Sequence, residues 1–267
     1  MKTVVVTGSA RGFGFELVKF FRMKDYNVVV CDISSDNLKV CVEKLNAILS
    51  KGEIYSYVVD ITDDISVSNM IDDLLKKTTI DIWINNAGVN QPNKAIWELD
   101  RKTIDRLIDI DLKGTILCSK LIAPVMIKQN SGQIFNVEGY GSNDAKMLGL
   151  SIYGTSKRAV TYFTEALAKE IDTIDANVCV GKISPGIMIT DFISTSMGNG
   201  EKIELDDKTK KVYNILGDYP DTIAKYMVDK IDKNKKNNVK FNWLPNRKAT
   251  WRFMTSWITK RDFFNNK

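Results

Sequence analysis

Short runs of β-branched residues alternate along the chain with longer segments that carry apolar residues at helical spacing. The runs TVVVT, NVVVC, EIYSYVV and DIWIN are followed by amphipathic segments at 11–23, 35–50, 64–77 and 99–129. The alternation continues with GQIFNV, a helix at about 153–171, NVCVGKI, and a candidate seventh strand, VKFNWL, at 239–244. Strands that alternate with helices in this way are typical of a parallel sheet covered on both faces. The pattern predicts a doubly wound α/β fold.

The length of the chain, 267 residues, is sufficient for one large α/β domain with a buried core. We expect this domain to span residues 1–244 and a basic amphipathic tail to follow at 245–267. Residues 187–217, with MGNG and a charged run, interrupt the alternation. We expect them to form a substrate loop over the carboxyl ends of the strands, where ligands bind in such sheets.

Composition excludes several kinds of site. The chain has no histidine, so it has no Ser-His-Asp triad, no Cys-His pair and no HExxH zinc motif. Its four cysteines have neither CxxC nor zinc-finger spacing, so we predict no disulfide framework and no metal. Only Met1 and Lys2 precede the first strand, and no apolar stretch is long enough to span a membrane. We therefore expect a cytoplasmic protein.

A glycine-rich loop, TGSARGFG, joins the first strand to the first helix at residues 7–14. Gly8 permits a tight turn, and Gly12 and Gly14 let the backbone approach a ligand. The free N–H groups at the start of the helix can bind a phosphate. Strand, loop and helix together predict a dinucleotide site, whose first residues are Gly8, Ser9, Arg11, Gly12, Phe13 and Gly14.

Asp32 closes the second strand and is the candidate ribose ligand. It follows the glycine loop at close to the ~20 residues at which a carboxylate accepts hydrogen bonds from the adenosine ribose. A carboxylate there repels a 2′-phosphate and favours NAD, whereas Arg11 could pair with that phosphate and favours NADP. We predict NAD rather than NADP, because Asp32 would contact the ribose directly.

Five motifs follow one another in a fixed order: TGxxxGxG at 7–14, DI at 60–61, NNAG at 85–88, YxxxK at 153–157 and PG at 185–186. Over residues 3 to about 192 they resemble the short-chain dehydrogenase/reductase family. The resemblance implies an NAD(P)-dependent oxidoreductase with a single-domain Rossmann fold and strand order 3-2-1-4-5-6-7. It also implies that Asp60 and Ile61 contact adenine, that Asn86, Ala87 and Gly88 line the cofactor ribose, and that Ile187 and Thr190, after Pro185 and Gly186, hold the nicotinamide carboxamide.

Two softer segments, IFNVEGYGS and YNILGDYPDTIAKYM, are similar to the branch of this family that contains the plant chlorophyll b reductases. That similarity suggests a bulky, apolar carbonyl substrate. It does not identify the substrate.

Tyr153 and Lys157 are four residues apart and can therefore address one ligand from the same face of a helix. A free phenol has a pKa near ~10. A lysine charge about 4 Å away would favour phenolate by about 4 kcal/mol, or roughly three pKa units before desolvation. We predict that Tyr153 protonates the substrate carbonyl while Lys157 tunes the phenol and holds ribose hydroxyls. A surface Tyr–Lys pair is the alternative.

The family usually has a serine near the end of the fifth strand that binds the substrate oxygen. Here NVEGYGS places Glu138 and Gly139 at those positions. Ser142 or Tyr140 could take over the role, or Glu138 could bind a polar group of the substrate. Alternatively, Glu138 caps a helix or faces solvent.

Asp111, in IDLKG, stands where the family commonly has an asparagine that helps to hold a proton-relaying water near the lysine. An aspartate can accept the same hydrogen bonds and would stabilise Lys157 as a cation. The alternative is an ordinary acid on a helix surface. The candidate catalytic residues are therefore Tyr153, Lys157, Asp111, Glu138 and Ser142.

Residues 233–267 hold ten Lys and Arg but a single acid, Asp262, within a chain of formal net charge +5. Taken as a helix, 247–264 gathers Trp251, Phe253, Met254, Trp257, Ile258 and Phe264 on one arc. We expect this arc to pack on the core or on a sister subunit. The alternative is peripheral contact with an anionic membrane. No recognised motif indicates a nucleic-acid partner.

The main hypothesis is an oxidoreductase that acts on a small-molecule carbonyl or alcohol. We expect it to form a homodimer or homotetramer through the helices at 99–129 and 153–171. The rival hypothesis is an NAD(P)-binding sensor or regulatory protein that lost turnover when it lost the serine.

Overall fold

A seven-stranded parallel sheet forms the centre of the computed structural model, which describes residues 1–189 and 205–264. Its strand order is β3-β2-β1-β4-β5-β6-β7. The strands are β1 (Thr3–Thr7), β2 (Asn27–Asp32), β3 (Ile54–Val58), β4 (Ile82–Asn85), β5 (Gly132–Val137), β6 (Val178–Ser184) and β7 (Val239–Asn242). The predicted α/β class and strand order are confirmed.

Nine α-helices lie in the described ranges and connect or follow these strands. They are α1 (Gly12–Arg22), α2 (Ser35–Asn46), α3 (Asp64–Leu75), α4 (Arg101–Ile108), α5 (Thr115–Gln129), α6 (Ser151–Asp172), α7 (Asp207–Leu216), α8 (Pro220–Asp232) and α9 (Asn246–Thr255). The predicted helix at 153–171 is therefore present and begins two residues earlier than expected.

Alternation along the central strands divides the core into two layers, as a period of two residues requires. Val4 and Val6 of β1 pack with α1, α2 and α8 on one face, whereas Val5 packs with α3, α5 and α6 on the other. All three valines are fully buried. The sheet is thus covered on both faces, and the carboxyl ends of its strands are left to build a site.

The segment 99–129, predicted as one amphipathic stretch, is divided into several elements. A 3₁₀ turn at Ile96–Glu98 and helix α4 precede a π-helix at Asp109–Gly114, which leads into α5. A Cβ placed on Gly114 would lie 2.6 Å from the Ile61 side chain, so the π-helix comes close to the loop after β3. The π-helix also places Asp111 in the interior. Short π-helical turns within α-helices are frequent at functional sites.

Helix α8 is missing from the sequence prediction. Pro220 occupies its first turn, where proline is favoured, and its apolar face, which includes Ile223 and Met227, is completely buried. The proline and the apolar spacing in the sequence therefore indicate this helix. The proposed substrate loop at 187–217 contains α7 in its described part, whereas residues 190–204, including Thr190, lie outside the described residues.

The prediction of a tail helix over 247–264 is wrong, because α9 ends at Thr255. Hydroxyl groups of Thr255 and Ser256 hydrogen-bond to carbonyls of the preceding turn. Further on, Arg261 donates to the carbonyl of Gly217. The ring of Phe263 stacks edge-on against Tyr219. These contacts pull the chain away from a helical path.

Asp218 anchors the tail to the rest of the protein. Its carboxylate accepts a hydrogen bond from Trp243 Nε1 at 2.6 Å and forms ion pairs with Arg252 at 2.7 Å and Arg261 at 2.6 Å. The same residue pairs with the segment after β6 through an isolated bridge to Met188. Two distant parts of the chain are thus joined at one carboxylate.

Most of the predicted apolar arc of the tail is exposed rather than packed on the core. Trp251, Met254, Trp257 and Ile258 are each more than half exposed. The expectation that this arc packs on the chain's own core is therefore wrong for these four side chains. The boundary between 1–244 and 245–267 remains a prediction.

Candidate active site

A cavity of about 1590 Å³ opens at the carboxyl ends of the strands. Its lining comes from the loops that follow β1 to β5, from α4 and the π-helix, from α6, and from the segment after β6 with the start of α8. It brings together most of the residues predicted from the sequence, namely Gly8, Arg11, Gly12, Phe13, Gly14, Asp32, Asp60, Ile61, Asn86, Ala87, Gly88, Glu138, Tyr153 and Lys157.

The glycine loop adopts a backbone that requires glycine at two positions. Gly8 and Gly12 have φ values of +61° and +58°, in the left-handed region that L-residues rarely occupy. A Cβ on Gly8 would lie 2.8 Å from the Ala87 Cα, so the loop also packs closely on the loop after β4. These two requirements account for the glycines in this part of the motif.

The start of α1 offers hydrogen-bond donors to the cavity. Its N-cap residue, Arg11, makes no side-chain cap hydrogen bond, and the first helical residues, Gly12, Phe13 and Gly14, line the cavity. A helix leaves its first N–H groups without intrahelical partners and carries a partial positive charge there. The residues present therefore fit the pyrophosphate of a dinucleotide.

Thr7, the first residue of the glycine-rich motif, has a structural role that the motif alone does not indicate. Its Oγ1 accepts hydrogen bonds from the backbone N–H groups of Asn86 at 2.9 Å and Ala87 at 3.0 Å. The Asn86 side chain returns the contact by donating to the carbonyls of Thr7 and Gly8. Asn86 thus holds the glycine loop and the loop after β4 together.

Ser9 lies within the loop but does not line the cavity. Its side chain is fully buried, and its Oγ accepts a hydrogen bond from the Cys31 N–H at 3.1 Å. Ser9 therefore ties the glycine loop to β2. Its predicted contact with a cofactor has no support from the orientation of its side chain.

Two carboxylates lie at the end of the cavity formed by β2 and β3. Asp32 Oδ1 accepts a hydrogen bond from Ser34 N–H at 3.0 Å. Asp60 Oδ1 accepts bonds from both the N–H and the hydroxyl of Thr62. Each carboxylate is thus oriented by its own turn.

Tyr153 and Lys157 line the same cavity from the first two turns of α6 and are almost completely buried. Lys157 Nζ lies 5.6 Å from the centre of the Tyr153 ring. A Cβ placed on Gly88 would lie 3.4 Å from Lys157 Nζ, so the amine is adjacent to the loop after β4. The arrangement differs from a surface Tyr–Lys pair.

Asp111 is a third member of this cluster and is fully buried, not a helix-surface acid. Its Oδ1 accepts the Val89 N–H at 2.7 Å. Its Oδ2 forms an ion pair with Lys157 Nζ at 3.5 Å. Asp111 therefore connects the loop after β4 to the lysine.

Burial raises the pKa of Tyr153, and Lys157 lowers it by less, so the net direction is upward. The downward shift in the pKa of Tyr153 that we expect from the lysine charge is therefore outweighed by desolvation. Burial lowers the pKa of Lys157, but Asp111 and Tyr153 raise it by more. Lys157 is consequently a cation at neutral pH.

The segment after β5 lacks a side-chain donor beside Tyr153. A Cβ on Gly139 would lie only 2.3 Å from the Tyr153 hydroxyl. The phenol therefore occupies the space that a side chain at position 139 would need. The Ser142 hydroxyl donates to the Gly139 carbonyl at 2.7 Å and does not line the cavity. Tyr140 is exposed and donates to the carbonyl of Lys146.

Glu138 contributes to the cavity lining, but its carboxylate has two protein partners. Oε2 lies 2.6 Å from Lys240 Nζ on β7, and Oε1 accepts a hydrogen bond from Thr161 Oγ1 at 2.9 Å. The side chain is completely buried. Glu138 neither faces solvent nor caps a helix, and its charge is compensated within the protein.

The segment after β6 reaches the cavity later than predicted. Gly186 has a φ of +73°, and the Ile187 carbonyl accepts the Asp218 N–H at 3.1 Å. Pro185, Gly186 and Ile187 do not line the cavity, whereas Met188 and Ile189 do. Thr190 falls outside the described residues.

Residues 1–189 and 205–264 contain neither a membrane-spanning helix nor a metal-binding cluster. No helix there combines the length and the apolar character needed to cross a bilayer. No cluster of three or more Cys, Asp or Glu side chains in those ranges is arranged to hold a metal ion.

Two comparisons of sequence and one of structure place the chain among known proteins. The short chain dehydrogenase family model matches residues 2–199. The chain is 28% identical to the probable chlorophyll(ide) b reductase NYC1, chloroplastic, of Arabidopsis thaliana, over all of this chain and 55% of that protein. It is 35% identical to the uncharacterized oxidoreductase YxbG of Bacillus subtilis, over 75% of this chain and 72% of that protein.

The structural comparison agrees on the fold. A 3-ketoacyl-(acyl-carrier-protein) reductase from Brucella melitensis, complexed with NADH, matches with a TM-score of 0.78 and 21% identity, over 91% of this chain and 96% of that one.

The chain thus spans about half the length of the plant reductase that it resembles. A cytoplasmic location remains a prediction, since the name of that relative places it in the chloroplast. The resemblance to the plant reductases and to the wider family is confirmed. The chain belongs to the short-chain dehydrogenase family.

Proposed function

We propose that this protein transfers a hydride between NAD and a carbonyl or alcohol substrate, with Tyr153 exchanging the proton at the substrate oxygen. The observation that carries the proposal is the position of Tyr153 and Lys157, which line one cavity with the glycine loop. A bound NADH supplies the hydride in the direction of reduction. The protein's own residues bind, orient and protonate.

Residues at the carboxyl ends of β1 and β2 support NAD as the cofactor. The N–H groups at the start of α1 would hold the pyrophosphate. Asp32 would accept hydrogen bonds from the adenosine ribose, and its charge opposes a 2′-phosphate. Arg11 also lines the cavity and is exposed. The charge of Arg11 would attract the 2′-phosphate of NADP, whereas the carboxylate of Asp32, at the end of the neighbouring strand, would repel it.

Tyr153 would act as a general acid in reduction and as a general base in oxidation. Because burial keeps its pKa above the ordinary value, the phenol is protonated at neutral pH and ready to donate. Lys157 would stay charged and hold ribose hydroxyls. Its charge would also stabilise the phenolate that forms when Tyr153 gives up its proton. Asp111 would keep the lysine cationic, which is the physical basis for including it in the catalytic group.

Glu138 and Ser142 have weaker support as catalytic residues. The carboxylate of Glu138 is paired with Lys240, and the hydroxyl of Ser142 is bonded to the backbone of Gly139. We therefore assign both to the support of the segment after β5. In this proposal the substrate oxygen receives its hydrogen bond from Tyr153 alone.

A bulky, apolar substrate is supported by one group of residues in a lining that also includes charged side chains of α4, such as Arg101 and Arg106. Val137, Met188 and Ile189 line it together with Tyr153. The glycine at position 139 contributes no polar side chain of its own beside the phenol. The resemblance to the chlorophyll(ide) b reductase supports the same class of substrate, which remains a proposal because the chain covers only part of that protein.

Oxidation of NADH in the presence of a panel of aldehydes and ketones, including large hydrophobic ones, tests the proposal. Tyr153→Phe should lower kcat by at least ~100-fold, the range for loss of a general acid. Its affinity for NADH, measured by fluorescence, should not change. Tyr162→Phe is a matched control on the same helix, because Tyr162 is 75% exposed.

Two results would count against the proposal. An active Tyr153→Phe enzyme would show that Tyr153 is not the general acid. Tight NADH binding without turnover on any carbonyl would favour the alternative, a cofactor-binding sensor.

We also propose that the protein forms a homodimer or homotetramer through α5 and α6. Exposed apolar side chains on these helices, Ile127 and Tyr162, support this surface. Light scattering after gel filtration would give the subunit number, and a monomer at micromolar concentration would refute the assembly.

The exposed face of the tail is proposed to contact an anionic membrane surface. Trp251, Met254 and Trp257 are exposed beside the exposed cations Arg247 and Lys260, a combination that suits the interface of an acidic bilayer. Co-sedimentation with phosphatidylserine vesicles should be lost in a Trp251→Ser/Trp257→Ser variant. Loss of oligomers in that variant, without vesicle binding in the parent, would instead indicate a contact between subunits.

A further inference from the structure

The helix that carries Tyr153 has no capping side chain of its own. Its N-cap residue is Leu150, which makes no side-chain cap hydrogen bond. Instead, Oε1 of Gln91 accepts the N–H of Ile152 at 2.9 Å and the N–H of Tyr153 at 3.0 Å. A helix leaves these first N–H groups unpaired unless another group satisfies them. The cap of α6 thus comes from a residue far away in sequence.

Gln91 is itself held in one place. It is 1% exposed, and its Nε2 donates to the Lys94 carbonyl at 3.4 Å. Its backbone N–H donates to Asn90 Oδ1 at 2.9 Å. Gln91 lies three residues after Gly88, at the end of the loop that follows β4 and lines the cavity. One side chain therefore joins that loop to the backbone of the tyrosine.

We propose that Gln91 is a positioning residue that fixes Tyr153 relative to the loop after β4. The inference rests on the proposed function, in which Tyr153 is the general acid. The carboxamide suits the role because its oxygen accepts two N–H groups while its nitrogen donates to a carbonyl. A carboxylate offers the same acceptors without the donor, and a thioether offers neither.

The position of the phenol matters because proton transfer requires a donor within hydrogen-bond reach of the substrate oxygen. A displacement of about 1 Å at a reacting group can cost ~100-fold in rate. Gln91 does not line the cavity, so its loss should leave cofactor binding intact. The expected signature is a fall in kcat with little change in the affinity for NADH.

Gln91→Met is the first test, measured on the full chain with the best carbonyl substrate. We expect kcat to fall ~10- to 100-fold, with the NADH dissociation constant within about twofold of the parent. Gln91→Glu should restore most of kcat, because a carboxylate accepts both N–H groups and is favoured at a helix N-terminus. Tyr26→Phe is the stability control, because it removes one hydrogen bond to Asp232 at the opposite end of the sheet.

Amide hydrogen exchange gives a second measurement that does not depend on turnover. In Gln91→Met, exchange in the peptide 150–157 should accelerate, whereas Tyr26→Phe should leave it unchanged. If Gln91→Met does not fold, Gln91→Asn, whose side chain is shorter by one methylene, should change kcat and exchange in the same direction.

The outcomes separate this inference from the proposed function. Full kcat in folded Gln91→Met, with Tyr153→Phe inactive, would overturn the positioning role. Unchanged exchange in peptide 150–157 would overturn it as well. An active Tyr153→Phe enzyme would refute Tyr153 as the acid. If exchange is nevertheless accelerated in Gln91→Met, the inference that Gln91 caps α6 still stands.

Discussion

Oδ2 of Asp111 lies 3.5 Å from Nζ of Lys157, and both side chains are almost completely buried. The pair acts on the neighbouring phenol in opposite directions, because Lys157 lowers the pKa of Tyr153 and Asp111 raises it. Burial raises the pKa of Asp111, and the lysine opposes that effect. The charge state of one residue in this cluster therefore shifts the pKa values of the other two.

Asp111→Asn should move the pH dependence of alcohol oxidation toward lower pH. In that direction Tyr153 must lose its proton, and the substitution removes a negative charge that favours the protonated phenol. The rising limb of kcat/KM against pH should therefore shift to the acid side while Lys157 remains a cation. A limb that stays in place would show that Asp111 does not act on the phenol.

Gly139→Ser should inactivate the enzyme, although it restores a serine at a position where the family commonly has one. The new Cβ would lie 2.3 Å from the Tyr153 hydroxyl, so the phenol must move. Such a displacement should lower kcat by ~100-fold. Gly154→Ala is the matched glycine control, since its Cβ would meet no atom closer than 3.8 Å. Higher activity in Gly139→Ser would contradict the collision.

Glu138→Gln should lower stability more than it changes catalysis. The substitution removes the charge that pairs with Lys240 and should cost about 2 kcal/mol of unfolding free energy. Lys240→Met should cost more, because it leaves a buried carboxylate without a cation. Denaturant unfolding gives both values. A large rise in the substrate KM of Glu138→Gln, with stability unchanged, would instead assign the carboxylate to the substrate.

Asp32→Asn should shift cofactor preference from NADH toward NADPH. The loss of a charged acceptor should weaken NADH binding by roughly tenfold, or about 1.4 kcal/mol. The loss of charge repulsion should strengthen NADPH binding. Titration of each cofactor by fluorescence checks both directions, and Arg11→Gln should weaken NADPH alone. Equal changes in the affinities for NADH and NADPH would show that Asp32 does not contact the 2′ position of the adenosine ribose.

Asp218→Asn should destabilise the protein at neutral pH and have a smaller effect in acid. Burial raises the pKa of Asp218, but hydrogen bonds from Arg252 and Trp243 lower it by more, so the folded value is depressed. The resulting stability is present above the unfolded pKa of ~3.9 and is lost as pH falls through the folded pKa. The difference in unfolding free energy should be about 2 kcal/mol at pH 7.

Thermal unfolding of the Asp218→Asn variant checks the same prediction. The midpoint should fall by roughly 4–8 °C at pH 7. If the two midpoints differ by the same amount at pH 3 and pH 7, the ionised carboxylate is not the source of the stability.

The sheet and the cofactor end of the cavity could be predicted because they depend on local signals. The alternation of strands and helices fixed the α/β class, and the glycine loop has a backbone that only glycine adopts without strain. The pair Tyr153 and Lys157 could be placed on one helix face from spacing alone. In these cases the local pattern and the tertiary structure agree.

Other parts depend on contacts between distant segments and carry no local signal. Glu138 meets Lys240 across the sheet, and Gln91 reaches the start of α6 from another loop. Beyond the end of α9, Arg261 binds the distant Gly217 carbonyl, a contact that the helical pattern of the tail does not indicate. The pKa of Tyr153 depends on burial, which a single sequence does not give.

The attachment of the tail at Asp218 has a consequence for substrate selection. The bridge between Asp218 and Met188 places the anchor of the last part of the chain directly behind residues that form a wall of the cavity. Substitutions in the tail that disturb its ion pairs with Asp218 can therefore act on the cavity wall at Met188. Under the proposed function, we expect variation in the tail to change which carbonyl compounds bind without changing the proton exchange at Tyr153.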